Sequence, residues 1–279
     1  MSKLNQNIQN FYDASTRLWE ETWGEHMHHG YYGPDGTAEK DHFQAQIDLI
    51  EEFLRWGNVT QPRKILDVGC GVGGSSLYLA NKFGADVTGI TLSPVQVSRA
   101  KTRAIDAGLA KKTHFFAADA MNPPFPNESF DLIWSLESGE HMPDKQRFLQ
   151  TCFDLLQPGG IFLMATWCHR PVPPDLTPDE RNSLEKIYQT YHLPYIISIS
   201  EYADLAKSVG FTAIETTDWT EAVAPFWKAV VRSVFRLKSI TGLAQAGLST
   251  IRGAMAMSLM ISGYRSGLIR FGLLQGRKA

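Results

Sequence analysis

The sequence predicts an α/β fold of the Rossmann-like kind, a seven-stranded, mostly parallel sheet flanked by helices. Three observations carry that prediction. From Lys64 onward, short β-branched runs alternate with helical patterns at the spacing of βαβ units. A glycine-rich turn, Gly69-Cys70-Gly71-Val72-Gly73-Gly74, stands directly between the first such run and the first helical stretch, where a sheet of this kind receives a ligand at a helix N-terminus. The 279 residues are 43% hydrophobic and 20% charged, a globular composition with interior enough to fold without disulfides.

The parallel runs are Lys64 to Val68, Ala85 to Ile90, Thr113 to Ala117, Phe130 to Trp134 and Ile161 to Thr166. Helical patterns over Ser75 to Phe83 and Pro94 to Gly108 join the first three. A sixth run, Thr212 to Trp219, follows a helix ending at Ser208 or Val209 with Gly210 just beyond it. Leu268 to Leu274, bounded by Gly267 and Gly276, reads as a seventh, antiparallel strand. Two insertions interrupt this order. Residues 167–194 contain Thr177-Pro178-Asp179-Glu180, a capping box with proline at the first helical position, opening a helix through about Thr190. Residues 222–266 are helical in pattern. Residues 1–60 show no alternation and carry the aromatic-rich stretch Phe11 to Tyr32, so they are expected as a helical lid over the strand ends of a domain spanning 61–279.

Composition excludes several functions. A formal net charge of −2, without a basic block, disfavours nucleic acid as the main partner. Cys70, Cys152 and Cys168 are too few and scattered for a disulfide framework or a paired-cysteine metal site and point to a reducing compartment. Met1 to Asp13 shows no secretory signal, and the most apolar tract, Leu243 to Tyr264, is interrupted by Arg252, short of the roughly 20 apolar residues of a spanning helix. The expectation is a cytoplasmic protein.

The turn narrows the ligand. A dinucleotide calls for an acid at the end of the second strand, but that place reads Gly89-Ile90-Thr91-Leu92-Ser93; a triphosphate calls for Lys after the glycines, and Ser75-Ser76 stand there. Asp67 either hydrogen-bonds around the ligand or holds a neighbouring loop. Asp119 either contacts the ligand or caps the next helix. Thr91 is a ligand contact or a strand end, and Cys70 reads as a packing residue, with no His placed beside it. After the fourth strand, Ser135 to Met142 supply Glu140 and His141, a carboxylate and an imidazole that either take a proton or serve structure. His26, His28 and His29 lack the regularly spaced Cys or carboxylate of a zinc site, so an aromatic lid is expected and no metal.

These motifs resemble the class I S-adenosylmethionine-dependent methyltransferases: Lys64 to Gly73 the first cofactor motif, Asn127 to Ser135 the second, and Asp154 to Leu163 with Pro158-Gly159-Gly160 the third. The resemblance implies S-adenosyl-L-methionine as cofactor. Gly69, Cys70, Gly71 and Gly73 would face its methionine part with Asp67 nearby, Asp119 and Ala120 would read adenine, and Thr91, Leu92, Gln96 and Ser135 would complete the site. Thr91 departs from the Asp or Glu commoner in the class, as in the cyclopropane-synthase and sterol branches. Over nearly the whole chain the sequence is similar to the γ-tocopherol methyltransferases of oxygenic phototrophs. The carrying segments are Phe11 to Asp13, Leu18 to Glu20, Trp23 to Tyr32, Ser93 to Val97, Ser135 to Met142, Ala165 to Pro171, Ala224 to Trp227 and Gly267 to Gly272.

That similarity implies transfer of a methyl group to a small-molecule prenylated phenol, γ- to α-tocopherol and δ- to β-tocopherol, at the ring carbon ortho to the hydroxyl. On this reading His141 is the base, Glu140 its supporting carboxylate, and His29 and His169 are in reserve. Tyr12, Trp19, His29, Tyr32, Trp167, His169 and Phe226 would surround the acceptor. A prenylated benzoquinol, a sterol or an alkaloid nitrogen is an alternative acceptor for the same cofactor motifs; binding without turnover is an alternative of another class. The transit peptide of plant members is not seen in this sequence. Phe226, Ala229, Val230, Ser233 and Val234 follow helical spacing with Lys228, Arg232 and Arg236 on another face, a basic amphipathic helix that either rests on an anionic membrane or covers the pocket. The Met-bearing run Gly253 to Met260 either walls a lipid tail or packs the core.

Overall fold

Four of the five residues of β1 (Lys64–Val68) are buried, as a central strand covered on both faces requires. In the computed structural model, which describes residues 3–230 and 248–279, β1 pairs in parallel with β2 (Asp86–Thr91) and β4 (Phe130–Leu136). β3 (Thr113–Ala117) adds to β2, and β5 (Leu156–His169) to β4. β7 (Ile269–Arg277) runs antiparallel between β5 and β6 (Thr212–Asp218), giving the order β3-β2-β1-β4-β5-β7-β6. The chain crosses over β1 between β3 and β4, which opens a crevice at the strand C-termini. β5 outruns its predicted span because both of its edges are paired: Ile161 to His169 all oppose β7, while Leu156 opposes Phe130 on β4.

Helix boundaries follow local chemistry. α1 (Lys3–Trp23) and α2 (His42–Trp56) precede the sheet. α3 (Gly74–Phe83) starts from Gly73, held at φ +84°. α4 (Pro94–Asp106) has proline in its first turn and Ser93 accepting from the Gln96 N–H. Asp144 caps α5 (Lys145–Leu155). The predicted capping box of Thr177 and Glu180 opens α6 (Pro178–Tyr191), and a second, Ser198 with Glu201, opens α7 (Ile199–Val209), which Gly210 ends at φ +110°. α8 (Thr220–Val223) and α9 (Leu248–Ser266) lead into β7.

The core between α2 and the sheet places Phe53 against Trp134, ring centroids 4.7 Å apart. Phe226 and Val230 are wholly buried there, so the near end of the predicted basic amphipathic helix packs on the protein's own interior. Arg232, Ser233, Val234 and Arg236 lie outside the described residues. Met260 is buried in the same core with Met257 packed against it; the Met255 side chain lies outside the described residues. Among the described residues no helix is long and apolar enough to cross a membrane.

Candidate active site

At the C-terminal ends of β1 to β4 lies a pocket enclosing about 1000 Å³ of empty space. Its floor is built from the residues that leave each strand: Gly69 to Gly71, Thr91 and Leu92, Ala118 to Met121, and Leu136 to Ser138. Asn5, Ile8 and Tyr12 of α1 and the segment Glu25 to His28 cover it.

The glycine turn is dictated by close approach. Gly69 has φ +85°, and a Cβ there would stand 2.3 Å from Ser138 Cβ; with no side chain in the way, the Ser138 hydroxyl donates to Val68 O at 2.6 Å. The Asp67 carboxylate accepts from the Ser76 hydroxyl at 2.6 Å, tying β1 to the first turn of α3, and burial pushes it up to about 7. Thr91 Oγ1 donates to Gln96 Oε1 at 2.7 Å. Asp119 accepts from the Met121 N–H at 2.9 Å and from Asn5 Nδ2 at 2.7 Å. Asp67, Gly69, Cys70, Gly71, Thr91, Leu92, Gln96, Asp119 and Ala120 all line this one pocket. Two expected members stand behind it: Gly73, whose Cβ would meet Ala100 and Phe115 at 3.0 Å, and Ser135, which is buried against the Ser138 hydroxyl at 2.8 Å.

On the acceptor side the structure joins Tyr12 and His141, the phenol oxygen 2.9 Å from Nε2. Burial, helped by the charges of Lys145 and His192, holds His141 down to about 3, so its imidazole is neutral at physiological pH. Burial also raises the Tyr12 phenol. Glu140 turns the other way. Its carboxylate accepts from Thr166 Oγ1 at 2.7 Å, off the pocket wall, and burial with the neighbouring charge of Glu137 lifts it to about 7. The structure does not bring Glu140 to His141. Buried Lys145 donates to the carbonyls of Gly139 and Glu140 at 2.9 and 3.0 Å, pinning the 3-10 turn Gly139–His141 that aims both residues.

Of the two carboxyl residues around this turn, the one that lines the pocket is Glu137, which sequence reasoning missed. Its backbone sits at φ +53°, a strained conformation for a non-glycine residue. Oε1 accepts from the His29 N–H at 2.6 Å, and Oε2 accepts from His29 Nδ1 at 2.8 Å and Trp167 Nε1 at 3.0 Å. Burial alone would raise its carboxyl, but the His29 ring and the hydrogen bonds from His29 hold it below the usual carboxylate range. Only its place in the segment Ser135 to Met142 could have signalled it.

The other residues expected around the acceptor lie elsewhere. His29 is wholly buried among the rings of Trp167, Phe226, Trp227, Tyr264 and Phe271, centroids 5.1–6.0 Å away. With Trp167 and Phe226 it forms the wall behind Glu137. Tyr32 lines a separate recess with Lys40 and Lys228. His169 sits at the end of β5 against Arg170 O, 2.7 Å away, and Glu201. The Trp19 side chain lies outside the described residues. Among the described residues no three His, Cys, Asp or Glu side chains gather to hold a metal.

Two features of the pocket fit an amino-acid-bearing nucleoside: the bare backbone of Gly71, held at φ +53°, where a Cβ would meet only Met27 Sδ at 3.7 Å, and the buried, unpartnered Nδ1 of His26 and Nε2 of His28 on its wall. Fold and pocket together define a class I S-adenosylmethionine-dependent methyltransferase, and residues 66–164 match the Methyltransferase domain family. Geranyl diphosphate C-methyltransferase from Streptomyces coelicolor A3(2) shares the fold at a TM-score of 0.78 with 20% identity, 100% of this chain overlaying 98% of that one. In sequence, the chain is 48% identical to "Probable tocopherol O-methyltransferase, chloroplastic" of Oryza sativa subsp. japonica, over 99% of this chain and 78% of that protein. It is 46% identical to "Tocopherol O-methyltransferase, chloroplastic" of Arabidopsis thaliana, over 99% of this chain and 82% of that protein. The chain belongs to the tocopherol methyltransferase family.

Proposed function

We propose that this chain methylates the chromanol ring of tocopherols ortho to the phenol, converting γ- to α-tocopherol and δ- to β-tocopherol. The observation that carries this reading is the Tyr12–His141 pair, which places a neutral imidazole and a phenol in the same pocket as the glycine turn. When bound, S-adenosylmethionine supplies an electrophilic methyl group on a sulfonium. Gly69 to Gly71 and Asp67 would hold its methionine part, Thr91 and Gln96 the ribose, and Asp119 with Ala120 the adenine. His141 takes the hydroxyl proton of the acceptor, directly or through Tyr12, which raises electron density at the ortho carbon; once that carbon carries the methyl group its own proton leaves to water, and protonated His141 returns a proton to the phenolate oxygen. Ile8, Leu136 and Met142 give the ring an apolar wall, and α1 closes over it to exclude water. Contact of the basic positions Lys228, Arg232 and Arg236 with a membrane that stores the prenyl lipid belongs to the same reading, and flotation with anionic vesicles checks it.

The test is incubation with radiolabelled S-adenosylmethionine and γ-tocopherol, δ-tocopherol, a prenylated methylbenzoquinol, a sterol and an indole alkaloid. Labelled α-tocopherol whose NMR spectrum keeps the phenolic hydroxyl is the expected product. Label in a methyl ether would move the transfer to oxygen. Label only in another acceptor would move the substrate.

A further inference from the structure

We propose that His28 is the residue that receives the α-ammonium group of the cofactor's amino-acid end, through the lone pair of its Nε2. The proposal rests on the reading that this end lies against the glycine turn. The segment 25–28 is seated on that turn: a Cβ at Gly74 would come 2.3 Å from Glu25 O and 2.7 Å from His26 Nδ1, and one at Gly71 would stand 3.7 Å from Met27 Sδ. Gln46 Nε2 clamps the segment from behind, donating to the carbonyls of His26 and His28 at 2.6 and 3.0 Å.

The tautomer of His28 follows from its partner. Nδ1 lies 2.8 Å from the backbone carbonyl of His29, and a carbonyl only accepts, so Nδ1 carries the hydrogen. A buried imidazole resists a second proton, and burial lowers the basicity of this ring. Nε2 is then a bare acceptor. It is buried, has no partner, and belongs to a side chain that lines the pocket and is 4% exposed.

A buried acceptor without a donor costs stability, and a ligand that brings the donor recovers it. The donors of an S-adenosyl compound lie at the adenine, the ribose and the α-ammonium; the first two belong by the reading above to Asp119, Thr91 and Gln96. The ammonium is left. Glu137, whose negative charge reaches the His28 ring, makes this corner of the pocket favour a cation over a neutral hydroxyl.

Calorimetric titration with three ligands tests the assignment: S-adenosylhomocysteine, its analogue with hydrogen in place of the α-amine, and 5′-methylthioadenosine, which has no amino acid. The wild-type protein should prefer S-adenosylhomocysteine over the des-amino analogue by about 10- to 100-fold, the range of a hydrogen bond to a charged group. His28→Phe should abolish that preference while binding the des-amino analogue and 5′-methylthioadenosine as the wild type does. His28→Gln, which offers an oxygen near the place of Nε2, should restore most of it. A preference that survives in His28→Phe, or a variant that loses kcat with unchanged S-adenosylhomocysteine affinity, would overturn the proposal, the second result handing His28 to the acceptor's hydroxyl. The placement of the cofactor fails separately: 5′-methylthioadenosine would then not compete with S-adenosylhomocysteine, or Asp119→Ala would leave its affinity unchanged.

Discussion

Glu137 and Glu140 stand three residues apart, both buried, yet their surroundings drive them in opposite directions. Glu137 is solvated by three protein donors and stays ionised; Glu140 has one hydroxyl donor and a negative neighbour, and holds its proton up to about pH 7. Environments that separate two carboxyls in this way assign their roles. Glu137→Gln is expected to weaken the bonds from His29 and Trp167, lowering stability in urea titration by about 1–3 kcal/mol and kcat with it, whereas Glu140→Gln should spare kcat. His141→Gln should lower kcat by about 10²- to 10⁴-fold with little change in cofactor affinity, the range for loss of a positioned base; an unchanged kcat would remove His141 from the chemistry. Residues of the pocket around the glycine turn were legible in the sequence because such a turn is a local signal. Glu137 was not, since its partner His29 lies 108 residues away and its left-handed backbone falls on a residue type that gives no hint of it.

Among the elements, α1 is a latch. Asn5 reaches Asp119, Asp13 accepts from the Ser93 hydroxyl, Tyr12 meets His141, and Glu20 pairs with Arg99 of α4 at 2.8 Å. Three of these contacts join the helix to the segments that follow parallel strands and the fourth ties it to α4, so ordering of the helix and of the pocket are coupled. Asn5 also competes for the Asp119 oxygen that would read adenine. Asn5→Ala should therefore tighten 5′-methylthioadenosine binding by about 2- to 10-fold, the net worth of one hydrogen bond, and weaker binding would mean that the amide helps the ligand. Asp13→Ala should speed amide hydrogen exchange across 3–23 by about tenfold, the loss of one latch bond. The helical character of this segment was readable from the absence of strand alternation before the sheet. Its partners were not, because side-chain contacts 79 to 129 residues apart leave no periodic trace.

Taken whole, the molecule carries an electrostatic bias toward mildly acidic stability at two positions. Asp67 and Glu140 titrate near 7 when folded against about 4 in an unfolded chain. A raised folded pKa means that the folded state holds the proton more tightly, so this contribution is fully present below about pH 4 and is lost as the pH rises through 7. Asp67→Asn should thus gain on the wild type in urea midpoint between pH 5 and pH 8; a constant difference across that range would show that Asp67 is not the group responsible. The buried imidazoles of His26, His28 and His141, held below their usual range by burial, act in the opposite sense, withdrawing stability as the pH falls below about 6.5.

The sheet places its last strand in chain order, β7, between two earlier ones. Sequence patterning revealed that strand but not its slot, since strand order depends on long-range pairing. For a chain made from its N-terminus, β6 is complete at Asp218, while β7 begins at Ile269, 51 residues later (269 minus 218). At roughly 5–20 residues per second, a ribosome takes about 3–10 s to cross that gap. Throughout it, one edge of β5 and both edges of β6 expose unpaired backbone to solvent. Fast translation or a chaperone bound at that stage should therefore govern the yield of native protein more than any single contact in the finished core.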